Sequence, residues 1–358
     1  MDNKRITILD GFRVIAIIVV LLFHFYTFFQ DDKYLYNFGF TNLFSFGKLG
    51  VEFFFIISGF VISLTLTKCS NFVEFLKKRF LRLIPAMLVC SIITFAIMRT
   101  FDSNLLFAKS HSFSNLLLSN TFISPELINN IFQTKYNYID GAYWSLWVEI
   151  NFYIVIGIVY FCNKNKLLQN FSIVSLLLTL IYFLFTSKLG GDIISPIIGE
   201  SLFVAGKNII KLLNLVAYSN WFLLGIILYN LYHKKLLRYY IYFTIVFVLQ
   251  IILIQNTVQN ILFLVFIYSL LMLFIYKPNK IRFLGNTFIS KLGVVSYSVY
   301  LIHGHIGVLV INKFSWILGN YNWIIGVVLI GLFFLFGIFS YKFLEKPIST
   351  ILKKIMFR

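Results

Sequence analysis

Several residues able to do acid–base or ion-pair chemistry sit inside apolar runs of this sequence. The run LDGFRVIAIIVVLLFHF carries Asp10, Arg13 and His24. At about 100° per residue, the step from Arg13 to His24 ends about 20° past three full turns, so both share a helix face, about 16 Å apart. A charge in mid-bilayer costs about 2.5–3.5 kcal/mol on insertion scales, so each is a functional candidate. An imidazole at such a depth can serve as a general base. Equally, Arg13 could reach the aqueous surface with Asp10 as partner, and His24 could bond a neighbouring carbonyl.

Three further groups belong with that stripe. GKLGVEFFFIISGFVISL carries Glu52 at a depth matching His24 if the second helix runs antiparallel to the first. A carboxylate there would fix the imidazole tautomer, or else it pairs with Lys48 one turn away. FLKKRFLRLIP places Arg79 and Arg82 one turn apart, suited to a polyphosphate or to anionic lipid. GAYWSLWVEINFYIVIG places Glu149 well inside a span, with Ser145 one turn before it and Trp144 nearby. Glu149 needs a partner, and SYSVYLIHGHIGV offers Tyr297, Tyr300 and His303, the last of which equally suits a core position. His303 and His305 are about 200° apart, so at most one of them faces a given site.

The elements that must hold these residues follow from composition. The chain has 358 residues, 59% hydrophobic and 12% charged, with 43 Phe. A soluble domain is about 45–50% apolar and about 25% charged. This excludes a disordered chain, a disulfide scaffold and an ordinary soluble enzyme. Apolar runs near 8–29, 44–67, 84–101, 143–162, 167–187, 214–232, 239–255, 260–276, 292–312 and 322–344 predict an all-α, polytopic membrane helical bundle of about ten transmembrane helices. The net charge of +18 comes mostly from Lys and Arg in alternate connections. This predicts both termini on the cytoplasmic side and no role for nucleic acid. Residues 70–83 are predicted as a basic amphipathic stretch before Pro85. The two long outer connections, 102–142 and 188–213, could cover a site. Cys69, Cys90 and Cys162 show no pairing or ligand spacing, the histidines are scattered, and no metal is expected.

LDGFRVIAIIVVLLFH, GVEFFFIISGFVI, RFLRLIP, YWSLWVEINFY, SYSVYLIH and SYKFLEKP occur in this order. Together they resemble the membrane-bound acyltransferase-3 family of bacterial O-acyltransferases acting on surface glycans. The resemblance covers about 5–348, a single integral-membrane domain. It implies transfer of an acetyl or other short acyl group from cytosolic acyl-CoA to a hydroxyl of a cell-surface or lipid-linked glycan. It places the family's helix-1 pair on Arg13 and His24, its Arg-x-x-Arg on Arg79 and Arg82, and its acidic residue on Glu149. Many relatives have Asp where this chain has Glu52. The expected assignment is therefore His24, Glu52 and Glu149 as catalytic, and Arg13, Arg79 and Arg82 as acyl-CoA-binding. Ser145, Trp144, Tyr300 and His303 are expected to line the acceptor pocket. No cofactor is expected beyond the acyl-CoA donor. The location expected is the bacterial cytoplasmic (inner) membrane. Some relatives carry an extracytoplasmic esterase-like domain. None is expected here, which calls for action alone or through a separate extracytoplasmic transfer protein. A glycan or acyl-intermediate transporter is the competing expectation, with the buried charges lining a path.

Overall fold

Apolar runs with no water to bond their peptide groups must close their hydrogen bonds internally, and helices do so. The computed structural model describes residues 5–29, 34, 36, 42–254 and 257–357, and these contain helices and no strand. Helix α1 is Ile8–Phe23, continued by a π-helical turn His24–Phe28. Helix α2 is Leu49–Leu66 and α3 is Phe72–Phe101. Two short helices follow, α4 (Phe113–Ser119) and α5 (Pro125–Phe132). Then come α6 (Trp144–Cys162), α7 (Leu167–Thr186), α8 (Lys188–Ile198), α9 (Glu200–Leu212) and α10 (Leu215–His233). The chain continues through α11 (Leu237–Leu253), α12 (Val258–Tyr276), α13 (Thr287–Phe314), α14 (Ile324–Ser340) and α15 (Lys346–Met356).

Among the described residues, nine helical stretches are long and apolar enough to cross a membrane. The chain is a multi-pass membrane protein. The remaining expected span is α11, 17 residues long. At 1.5 Å per residue it reaches about 26 Å, a little short of a typical hydrocarbon core.

One boundary differs markedly from expectation. The stretch 70–83 is not a separate surface segment, because α3 starts at Phe72 and runs unbroken through Pro85. A reciprocal cap fixes that start. The Glu74 backbone N–H donates to Asn71 Oδ1 at 2.9 Å, while Glu74 Oε2 accepts from the Ser70 N–H and hydroxyl. Proline inside a membrane helix is tolerated where neighbouring helices supply the packing. The consequence is that Arg79 and Arg82 stand on the body of a long helix rather than on a surface segment.

The site is built where α1, α2, α3, α6 and α13 meet. Helices α2 and α10 approach at backbone distance: a Cβ on Gly225 would lie 2.0 Å from the Ile56 carbonyl, and one on Gly59 2.2 Å from that of Phe222. Only glycine allows this crossing. Around it Phe222 stacks on Phe152 of α6 at 3.9 Å and on Phe55 of α2 at 4.6 Å. Helices α1 and α13 also meet closely, with Gly293 against the backbone and side chain of Asp10.

Candidate functional site

Asp10 anchors the site at the basic end of the bundle. It is 1% exposed. Its Oδ1 accepts from Arg5 and Arg13 at 2.8 Å each, and its Oδ2 accepts from Ser290 Oγ at 2.8 Å. The carboxylate thus ties α1 to α13 and aims the Arg13 guanidinium. Above it lies a cavity of about 1130 Å³ lined by Arg5, Arg13, Lys68, Lys78 and Arg82, with Asp10 and Glu345 as its acidic lining. Cations outnumber carboxylates, so the cavity favours an anionic ligand. Between α2 and α3, burial raises the Cys69 thiol above its usual value, against the opposing charge of Lys78. That thiol stays protonated near neutral pH and is a poor acyl carrier.

Arg13, Arg82, Ser296 and Tyr297 also line a slot of about 70 Å³ that continues from the cavity into the bundle. Ser58, Ser145, Glu149 and Tyr300 line its inner part. Ser145 and Glu149, one turn apart on α6, do not bond each other. Glu149 Oε1 instead accepts from Ser58 Oγ at 2.9 Å and from the Tyr153 hydroxyl. Ser145 Oγ lies 2.8 Å from the Tyr300 hydroxyl, which donates to the Ala142 carbonyl at 2.8 Å. This contact joins α6 to α13 in the wall of the slot. Trp144 stands beside it, against the Tyr218 ring at 5.2 Å.

One turn beyond Tyr300 on α13 is His303, fully buried. Its Nε2 lies 2.6 Å from Nδ1 of His24. The expected contact of His24 with Glu52 is therefore replaced. Rotation of α1 turns His24 toward α13. Glu52 Oε2 is buried and makes no hydrogen bond. Nor does Glu149 orient the imidazole, since its bonds go to α2 and to its own helix. His24 itself is half-buried and packs among Phe23, Phe28 and Phe29. It does not line the slot, which ends a turn of α13 short of it.

The two arginines of α3 separate. Arg82 is exposed to the cavity and the slot, whereas Arg79 is 7% exposed, with its guanidinium 5.7 Å from the Tyr153 ring centroid. Its Nε and Nη1 have no hydrogen-bond partner. Arg79 does not line either cavity, so a direct contact with a ligand there falls to Arg82. His305, the other histidine of α13, faces away from His24. Its backbone N–H donates to Asp140, its Nδ1 lies 2.7 Å from Ser110 Oγ, and its ring stacks on Phe107 at 4.1 Å. It holds the 102–142 connection in place. Among the described residues no cluster of His, Cys, Asp or Glu could hold a metal.

Sequence spacing missed three contributors: Ser58, Ser290 and Glu345. Ser58 sits beside the packing glycine Gly59, and its bond to Glu149 shows only once α2 is set against α6. Glu345 lies in the SYKFLEKP run, in a π-helical turn, Tyr341–Glu345. Its Oε1 accepts from Ser298 and Ser340 at 2.7 and 2.6 Å. Such turns often mark functional positions, but no local pattern announces them.

The sequence profile of the family described as Acyltransferase domain matches residues 6–343. An O-acetyl transferase of Shigella phage Sf6 is 30% identical over 165 residues, 44% of this chain and 46% of that protein. O-acetyltransferase OatA of Staphylococcus aureus is 28% identical over 182 residues, 47% of this chain and 28% of that protein. The chain thus spans less than half the length of the curated relatives it matches. No solved structure matches.

Proposed function

Because this chain belongs to the acyltransferase family whose profile covers nearly all of it, we propose that it is a membrane O-acyltransferase. In this proposal it moves an acetyl or other short acyl group from acyl-CoA to a hydroxyl of a cell-surface or lipid-linked glycan. One observation carries the proposal: a cationic cavity narrows, through shared walls at Arg13, Arg82, Ser296 and Tyr297, into a slot that reaches Tyr300, one turn of α13 short of the His24–His303 pair. A thioester on a thin arm below a polyphosphate has that outline. Phosphates would meet Arg5, Lys68, Lys78 and Arg82, with the arm rising past Arg13. Guanidiniums suit phosphate by paired hydrogen bonds. The basic face is then the cytosolic one, with both termini there, in the bacterial cytoplasmic membrane.

The chemistry asked of the protein is modest, because a thiolate is a good leaving group. His24 takes the proton of the acceptor hydroxyl as its oxygen attacks the thioester carbonyl. The C–S bond breaks, the ester forms, and the proton leaves with the thiol. General-base assistance supplies about 10²–10⁴ in rate, and holding both substrates in line supplies more. For the acyl end to reach His24, the Ser145–Tyr300 contact must part. The acceptor would come from the opposite face, beneath the 102–142 and 188–213 connections.

The test is reconstitution in liposomes with labelled acetyl-CoA and glycan acceptor. Label should appear in an alkali-labile ester, and His24→Ala should abolish it with insertion and thermal stability unchanged. Ester formation by His24→Ala protein would overturn the role of His24. Movement of the glycan without any new ester would identify a transporter instead.

A further inference from the structure

We propose that His303 is a positioning residue that fixes the tautomer of His24 and leaves Nε2 of His24 as the nitrogen that takes the proton. This rests on His24 being the base, as above. The two imidazoles lie nearly coplanar, 7° apart, with centroids 4.7 Å apart and the facing nitrogens at 2.6 Å. A face-on stack would not bring two ring nitrogens to hydrogen-bond distance in one plane, so this is an edge-to-edge bond.

Its direction follows from the next link. Nδ1 of His303 lies 2.6 Å from the carbonyl oxygen of Tyr300. A carbonyl only accepts, so that nitrogen carries the hydrogen. His303 is 0% exposed, and its two ring nitrogens bond His24 and the Tyr300 carbonyl rather than a carboxylate. A neutral ring with its hydrogen on Nδ1 has a lone pair on Nε2. His24 Nδ1–H must therefore donate to His303 Nε2. The same rule then strips the hydrogen from Nε2 of neutral His24. That nitrogen makes no hydrogen bond among the described residues, so its lone pair is free for an acceptor hydroxyl.

The arrangement does with an imidazole what a carboxylate does in a catalytic triad, but without adding a negative charge to a buried site. When His24 Nε2 takes the proton, the positive charge can be shared, because Nδ1–H can pass its proton to His303 Nε2. The chain stops there, since the Tyr300 carbonyl cannot hold a proton. The sharing is reversible, and the acceptor's proton returns to the departing thiolate. The alternate tautomer of His24 would present an N–H to the acceptor and could not act as base.

Two measurements on the reconstituted protein test this. In the first, acetyl transfer is followed for His303→Leu, His303→Ala and His303→Gln. The expected result is a kcat loss of about 10²-fold or more for Leu and Ala with the KM for acetyl-CoA unchanged, the range of a lost general base. His303→Gln, whose Oε1 can replace the Nε2 acceptor, should recover to within about tenfold of wild type, since one neutral hydrogen bond is replaced by another. The second is solid-state NMR of protein labelled with ¹⁵N-histidine. The chain has five histidines, and the His24 signals are identified by their loss in His24→Gln. They should report Nδ1–H with bare Nε2, and His303→Leu should change that. Unaltered kcat in His303→Leu overturns the proposal, as does a His24 signal with the hydrogen on Nε2. An inactive wild-type protein whose His24 is nonetheless the Nδ1–H tautomer would refute the acyltransferase function while leaving the tautomer assignment standing.

Discussion

Removing the Asp10 carboxylate should destabilise this bundle more than any other single change to its basic end. Three donors converge on it, but they do not count equally. The Arg5 side chain is 55% exposed, and an exposed pair contributes about 0–1 kcal/mol. The Arg13 side chain is 13% exposed and lies in the bundle wall. Stripping the partner from a buried charge costs about 3–5 kcal/mol, because the charge that remains is uncompensated. The Ser290 bond is lost in the same step and is not additive with it. Asp10→Ala should therefore cost about 3–5 kcal/mol, and Arg5→Ala under about 1 kcal/mol. Asp10→Ala with Arg13→Met should cost less than Asp10→Ala alone, since the second change removes the orphaned charge. Reversible unfolding in mixed micelles, followed by tryptophan fluorescence, measures all three. A loss below about 1 kcal/mol for Asp10→Ala would refute the buried-pair argument. So would a double variant whose loss is no smaller than that of Asp10→Ala alone. The same variant should raise the KM for acyl-CoA, because nothing then aims Arg13 into the cavity.

Other outcomes can be checked with the same preparations. Gly225→Ala should cost about 1–3 kcal/mol in the same unfolding assay, since its Cβ would meet the Ile56 carbonyl at 2.0 Å; Gly331→Ala, with nothing within 4 Å, should be close to neutral. Arg82→Gln should raise the KM for acetyl-CoA about 10-fold or more, the value of a charge-assisted hydrogen bond, and leave an acetyl-pantetheine donor almost unaffected; equal losses with both donors would place Arg82 elsewhere. Exposed Cys162 should react with an impermeant maleimide at pH 7 in inside-out vesicles and not in right-side-out ones, whereas Cys69, buried and with its thiol raised, should react only at alkaline pH. Labelling of Cys162 from the other side would invert the topology.

Much of this architecture follows from one-dimensional features of the chain. Hydropathy alone placed most spans to within a few residues, because a helix in hydrocarbon has little choice of length. The 72–101 helix was the main exception, and its signal was present: Ser-Asn-x-x-Glu at 70–74 is a capping pattern, outweighed by the pull of Pro85 as a break. Helical phase put Arg13 and His24 on one face; Arg13 stands in the cavity wall, whereas His24, at the start of the π-helical turn, lines neither cavity nor slot and faces His303. The same phase argument separated His303 from His305, which do face different partners.

What one-dimensional reasoning could not supply is azimuth. Matching depth on antiparallel helices made Glu52 a plausible neighbour of His24, yet depth is one coordinate of two. Rotation of α1 about its axis is set by close backbone contacts: Gly47 and Gly50 against Val19 and Ala16 on one side, Gly11 against Leu284 and Gly293 against Asp10 on the other. Each of those contacts fixes an angle, and none is visible until the helices are paired. Once they are paired, the direction of α1 toward α13 is forced, and an imidazole rather than a carboxylate becomes the partner of His24. The glycines therefore position the chemistry indirectly. A bulkier residue at Gly293 should rotate α1 and part the two histidines without deleting any of their chemical groups. Gly293→Val should accordingly lower kcat toward the level of His303→Leu, with the donor KM altered as well because Asp10 and Arg13 move together. If Gly293→Val keeps full turnover with a folded bundle, close packing of α1 on α13 is not what sets the His24–His303 bond.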